Sequence, residues 1–150
     1  MKSDPVICGA LAGIIGTLAK EIVDFLSVTI GWSKYLYWNL AASVFVLPKD
    51  VHQPGALIIG GLADIIVGSF WGIVLFYIIK FSGRSYSYIK GLGIGWLIWL
   101  SLFGAVVNLH VVRITPTDIG TTLSAFVEHS AFGLTATWFI NQFADSTSRR

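Results

Sequence analysis

The sequence predicts an all-α integral membrane protein: one domain of four transmembrane helices, with a short interfacial or re-entrant helix between the first and second. Three observations carry that expectation. Charged residues are only 12% of the 150-residue chain, where a soluble domain carries about 25%. Hydrophobic residues are 55% and the mean hydropathy is +0.75, so the chain lacks the polar surface to dissolve as a monomer. Four apolar stretches are also long enough to cross a hydrocarbon core of about 30 Å, which takes roughly 20 helical residues.

The first span covers residues 5–30 and opens on Pro5, which suits a first helical turn. The second, 55–79, follows Pro54 and stops before Lys80. The third, 86–112, carries Lys90 near its start and stops before Arg113. The fourth, 118–143, follows Thr115-Pro116-Thr117, a helix-start signal. Between the first two spans, residues 35–47 are apolar but too short to cross, and they end at Leu47-Pro48-Lys49-Asp50. Trp32, Tyr35, Tyr37 and Trp38 there fit an aromatic belt at headgroup level. The polar tail, 145–150, is expected to fray.

Basic residues set the orientation. Lys2, Lys80, Arg84, Lys90, Arg149 and Arg150 share one side, against Lys34, Lys49 and Arg113 on the other. The excess places both termini in the cytoplasm. No cleavable signal peptide is expected, because the first apolar run continues past Lys20-Glu21 without a small-residue cleavage motif. Cys8 is the only cysteine, which excludes an intrachain disulfide and any multi-cysteine metal site. The net charge of +2 is small, so the expected partner is the lipid bilayer and not a nucleic acid.

Charged residues inside the spans are the chemical signal. Lys20, Glu21, Asp24, Asp64, Glu128 and His129 all lie in apolar runs, and a charge at the bilayer centre costs roughly 2.5–3.5 kcal/mol on insertion scales. At about 1.5 Å of rise per residue, Lys20 lies about 3 Å and Asp24 about 9 Å outside the midpoint of the first span. Asp64 lies about 5 Å outside that of the second, and Glu128 and His129 about 3–5 Å outside that of the fourth. Asn108 and His110 are shallower on the third, by roughly 10–13 Å. Polar groups from separate helices thus share one layer.

Helical spacing turns them inward. Gly9, Gly13, Gly16, Lys20, Asp24 and Ser27 form one stripe, and Gly60, Asp64, Gly68 and Gly72 form another. Thr121, Ser124 or Ala125, Glu128 and Thr135 lie near one face of the last span, with His129 about 100° round from Glu128. Lys20 and Asp24 are spaced to pair at i,i+4. One lysine against Glu21, Asp24, Asp64 and Glu128 leaves the layer strongly negative if every acid is ionised. Low dielectric opposes that, so acids must be protonated or a cation bound.

The layer admits three readings. In the leading one it binds or passes a proton, a monovalent or divalent cation, or an ion-coupled small solute. Asp24, Asp64 and Glu128 are then the binding carboxylates, with Glu21 beside them, His129 a proton carrier or ligand, and Lys20 a displaceable counter-charge. Four helices make a scant path, so a homo-oligomer is expected. In the second reading the layer is the structural polar core of a scaffold or accessory subunit. In the third, a small membrane enzyme holds a metal. Glu128, His129, Asp64 and His110 are acceptable ligand types for one, without diagnostic spacing.

Other features read blandly. His52 is a solvated loop histidine. Gly91-Leu92-Gly93-Ile94-Gly95 lacks the lysine and hydroxyl of a phosphate loop and reads as a packing face, like Gly68-x-x-x-Gly72. Those faces serve within the chain or between copies. Trp96 and Trp99 anchor the third span or face lipid. No nucleophile–base–orienter set has recognisable spacing, and Ser130 beside His129 is no triad.

Gly9-Ala10-Leu11-Ala12-Gly13, continuing to Gly16-Thr17 and a later acid, and His129-Ser130-Ala131-Phe132-Gly133 in the last span together resemble small bacterial inner-membrane proteins of the YagU-like kind. The resemblance covers two spans. It implies a four-helix protein of the inner membrane and no particular activity.

Overall fold

A computed structural model of the protein describes residues 4–114 and 118–144. The helix-start signal at 115–117, the tail at 145–150, and Lys2, Arg149 and Arg150 of the charge count lie outside the described residues. Among the described residues there are helices and no strands. Helix α1 is Pro5–Thr29, α2 Tyr37–Ala42, α3 Pro54–Ser82, α4 Ser87–Ser101 and α5 Ile119–Phe143, with a 3₁₀ turn at Pro48–Asp50. Three helical stretches are long and apolar enough to cross a membrane: Pro5–Thr29, Pro54–Ser82 and Ser87–Val106.

Local chemistry explains most of the ends. Asp4 caps α1, its Oδ1 accepting from the N–H groups of Val6 at 2.8 Å and Ile7 at 3.2 Å. Gly31 turns the chain out of α1 at φ 76°, a left-handed exit that glycine adopts without strain. Lys90 Nζ donates to the carbonyl of Gly83 at 2.7 Å and to that of Ser82 at 3.3 Å, satisfying the end of α3. Asp118 caps α5 through Thr121 N at 3.1 Å and also accepts from Thr121 Oγ1 at 2.7 Å. Asp118→Ala should therefore lower stability by about 1 kcal/mol, read as an earlier thermal melt in detergent.

The third span is shorter than its hydropathy predicts. After Ser101 the helix widens into a π turn, Leu102–Val106, and then stops. Asn108 Nδ2 donates back to the carbonyls of Phe103 and Gly104, at 3.0 and 3.1 Å, and His110 turns left-handed at φ 57°. Asn108 and His110 are thus exposed on a turn and not on the helix. The short helix expected within 35–47 is present between α1 and α3 but covers only six residues. Leu40 and Ala42 bury that piece against the bundle, and Leu40 joins a small core with Val107 and Val112 from the segment after α4.

Helix α1 is central, with α3 along one side and α5 along the other, while α4 packs on α5 and α2 on α3. Gly13 and Gly68 bring the backbones of α1 and α3 together: a Cβ on Gly13 would drive into the Gly68 carbonyl. Gly91 and Gly133 do the same for α4 and α5. Both packing faces are therefore used within the chain. Trp99 is also turned inward, its Nε1 donating to the Thr122 carbonyl at 3.0 Å, whereas Trp96 is exposed.

The two halves of the bundle differ. Cys8, Ala12, Leu75, Phe76, Ile79, Ala136 and Ile140 form an apolar core in the half where α1 begins. The buried charged residues and the buried histidine lie towards the end where α1 stops: Lys20, Asp24, Asp64, Glu128 and His129.

Candidate functional site

The antiparallel register of α1 and α3 that pairs Gly13 with Gly68 places Asp64 beside Lys20, one to two turns further on. Lys20 Nζ lies 3.0 Å from Asp64 Oδ2 and also contacts Glu21 Oε1. It sits 3.4 Å from the centroid of the Tyr37 ring, above its face. Cation–π attraction strengthens when the cation is desolvated, as it is here, with Lys20 only 3% exposed. Asp64 Oδ2 has no hydrogen-bond partner, so its link to Lys20 is ionic contact without hydrogen-bond geometry. One ammonium thus serves two carboxylates.

The i,i+4 pairing of Lys20 with Asp24 does not form. Asp24 Oδ2 instead accepts from Tyr37 N at 2.8 Å. The reason is local: Leu36, the residue before α2, has no side-chain acceptor. An acid on α1 therefore supplies the cap that the sequence around α2 lacks, and Lys20 is left to Asp64 and Glu21.

Glu128 is 2% exposed and lines a small recess with Asp24, Thr121 and Ala125 from the helices. The opposite wall is Ser33, Tyr35, Leu36 and Tyr37, together with Leu40 and Phe103. His129, on the neighbouring face of α5, does not line this recess. Its Nδ1 lies 2.7 Å from the Ala125 carbonyl, so in the neutral ring Nδ1 carries the hydrogen and Nε2 is the basic nitrogen. The ring meets Tyr37 edge-on, centroids 5.6 Å apart.

Tyr37 is therefore the hub, touching Lys20 with its face, His129 with its edge and Asp24 with its backbone N–H. Tyr37 thus packs against other elements of the chain, and so does Trp38, whose ring lies over Gly61 and whose carbonyl abuts Gly60. No pattern in the chain announces Tyr37, because its partners come from α1 and α5. Thr121 was legible, seven residues before Glu128 on one helical face.

Five of the six sequence-nominated residues form one connected group around Tyr37: Lys20, Glu21, Asp24, Asp64 and His129. Glu128 joins through the recess that it shares with Asp24 and Tyr37. His110 stands apart on its exposed turn. Among the described residues, no group of three or more His, Cys, Asp and Glu side chains is arranged to hold a metal ion. His52 is exposed and stacks on Tyr35, centroids 6.5 Å apart.

Compared with protein-family models, curated proteins and solved structures, the chain matches none.

Proposed function

We propose that the protein is an integral membrane protein that takes up a small cation or a proton at the carboxylates of this polar half. In this reading α5 is a fourth span. Its 25 residues reach about 37 Å at helical rise, it runs antiparallel to α4, and it turns Glu128 and His129 away from lipid. The chain would sit in a plasma membrane with both termini cytoplasmic, the recess near the outer end, and copies associating as a homo-oligomer.

The observation that carries the proposal is the charge balance. Among the described residues, Lys20 is the only cation buried beside Glu21, Asp24, Asp64 and Glu128, and it already serves two of them. An added positive charge relieves the remainder at low dielectric. The apolar core of the other half favours uptake into a single chain over passage through it. Passage would then need rearrangement or a second copy.

A ligand that binds only the folded protein raises its melting temperature. Purified protein in detergent should melt higher in sodium, potassium or magnesium chloride than in N-methylglucamine chloride at equal ionic strength. Proteoliposomes loaded with a pH-sensitive dye read the proton version. Glu128→Gln should raise the cation concentration needed by about tenfold or more, as loss of a charged ligand contact does. If parent protein responds to no cation and moves no proton, the proposal is wrong.

A second reading, a non-transporting scaffold or accessory subunit, is favoured by one observation. Asp24 has a structural task at Tyr37 N, and Lys20 is held on three sides. A scaffold predicts no cation response in the parent and unchanged or raised stability in Glu128→Gln, since removing a lone buried charge relieves its desolvation.

A further inference from the structure

We propose that residues 32–37 are a strap that closes the recess, hinged at Gly31 and latched by two side chains of the recess itself. The latches are visible as hydrogen bonds. Asp24 Oδ2 accepts from Tyr37 N at 2.8 Å, and Thr121 Oγ1 accepts from Lys34 N at 3.1 Å. Both acceptors line the recess, and Tyr35 and Tyr37 of the strap form its other wall. The hinge is Gly31, at φ 76° with nothing within 4 Å of where a Cβ would stand. Beyond Tyr37 the chain is fixed, because Leu40 and Ala42 are buried against the bundle. Further contacts hold its two ends, since Trp32 N and Ser33 N donate to the Ser27 carbonyl at 2.9 and 3.1 Å and the Tyr37 ring meets Lys20 and His129, whereas at its middle Lys34 and Asp118 make only an exposed 3.9 Å ion pair.

The latch has a consequence for an occupant. The Asp24 carboxylate that holds Tyr37 N is also a wall of the recess, so a cation that takes this carboxylate competes with the strap. Entry and opening are then one event. This coupling rests on the cation-uptake reading above, whereas the strap as a hinged cover does not.

The test reads access and not uptake. In a Cys8→Ala background, Ala125→Cys places a thiol at the recess wall and Ala136→Cys places one in the apolar half, and both parent residues are buried. Each protein, in detergent, is labelled with a charged methanethiosulfonate reagent. Asp24→Ala removes the latch, and Gly31→Val strains the closed hinge, because a β-branched residue at positive φ is an outlier. Each should speed labelling at position 125 about tenfold or more, the population change that losing one hydrogen bond to a charged group brings. Position 136 should keep its parent rate. Asp24→Asn, which retains an acceptor for Tyr37 N, should stay close to the parent at both positions.

If Asp24→Ala does not fold, Gly31→Val decides. Parent rates at position 125 in the folded latch and hinge variants overturn the strap, as does equal acceleration at position 136. A strap that opens in a protein with no cation response leaves this inference standing and removes the uptake reading. A cation response with no change in labelling does the reverse.

Discussion

Lys20→Met should destabilise the protein by about 3–5 kcal/mol, the usual cost of removing one partner from a buried ion pair. The substitution keeps the length and apolar stem of the side chain and removes only the charge. Glu21 and Asp64 would then face each other with no cation between them, and Tyr37 would lose the ammonium against its ring. The measurement is a thermal melt in detergent, with Lys20→Met/Asp64→Leu beside it. Replacing a whole buried pair by apolar residues is often neutral or stabilising, so the double variant should recover the part of the loss that Asp64 carries and leave the part that Glu21 carries. A single variant that melts with the parent would mean that Lys20 does not compensate these acids.

Gly13→Leu should be at least as damaging, about 3 kcal/mol or more, at the upper end of overpacking costs. The obstruction is the Gly68 backbone and not a side chain that can swing away. Helices α1 and α3 must separate, and the register that brings Asp64 to Lys20 is lost with them. Gly93→Leu is the control, because nothing stands within 4 Å of the position a Cβ would take there. A monodisperse, parent-like melt for Gly93→Leu and aggregation or early melting for Gly13→Leu is the expected pair of results. If Gly13→Leu is also parent-like, the close approach of α1 and α3 is wrong.

The glycine faces and the inward acids were legible because helical periodicity alone sorts them. Gly9, Gly13, Gly16, Lys20, Asp24 and Ser27 recur at spacings of three and four, and all are buried in α1. Gly60, Asp64, Gly68 and Gly72 are likewise buried in α3. The end of the third span was not legible. Hydropathy stays high through Val112, but Asn108 returns its amide to the carbonyls of Phe103 and Gly104 and the helix stops. The inward packing of Tyr37 and Trp38 was not legible for a related reason. Composition places such rings at an interface, and only the glycines of α3 and the acid of α1 show that the chain folds inward there.

By itself the sequence predicted a helical chain with four spans, three of which are long and apolar enough in the structure to cross a membrane, and it placed Asp24, Asp64, Glu128 and Lys20 on inner faces, where all four are buried. These follow from composition and from the 3.6-residue period, which are properties of each segment alone. Which acid Lys20 meets, why Asp24 is taken by a backbone N–H, and that Tyr37 joins them were decided only by tertiary structure. Each of those contacts joins different elements, and its partner depends on the offset between two rods, which close glycine packing sets and no local pattern encodes.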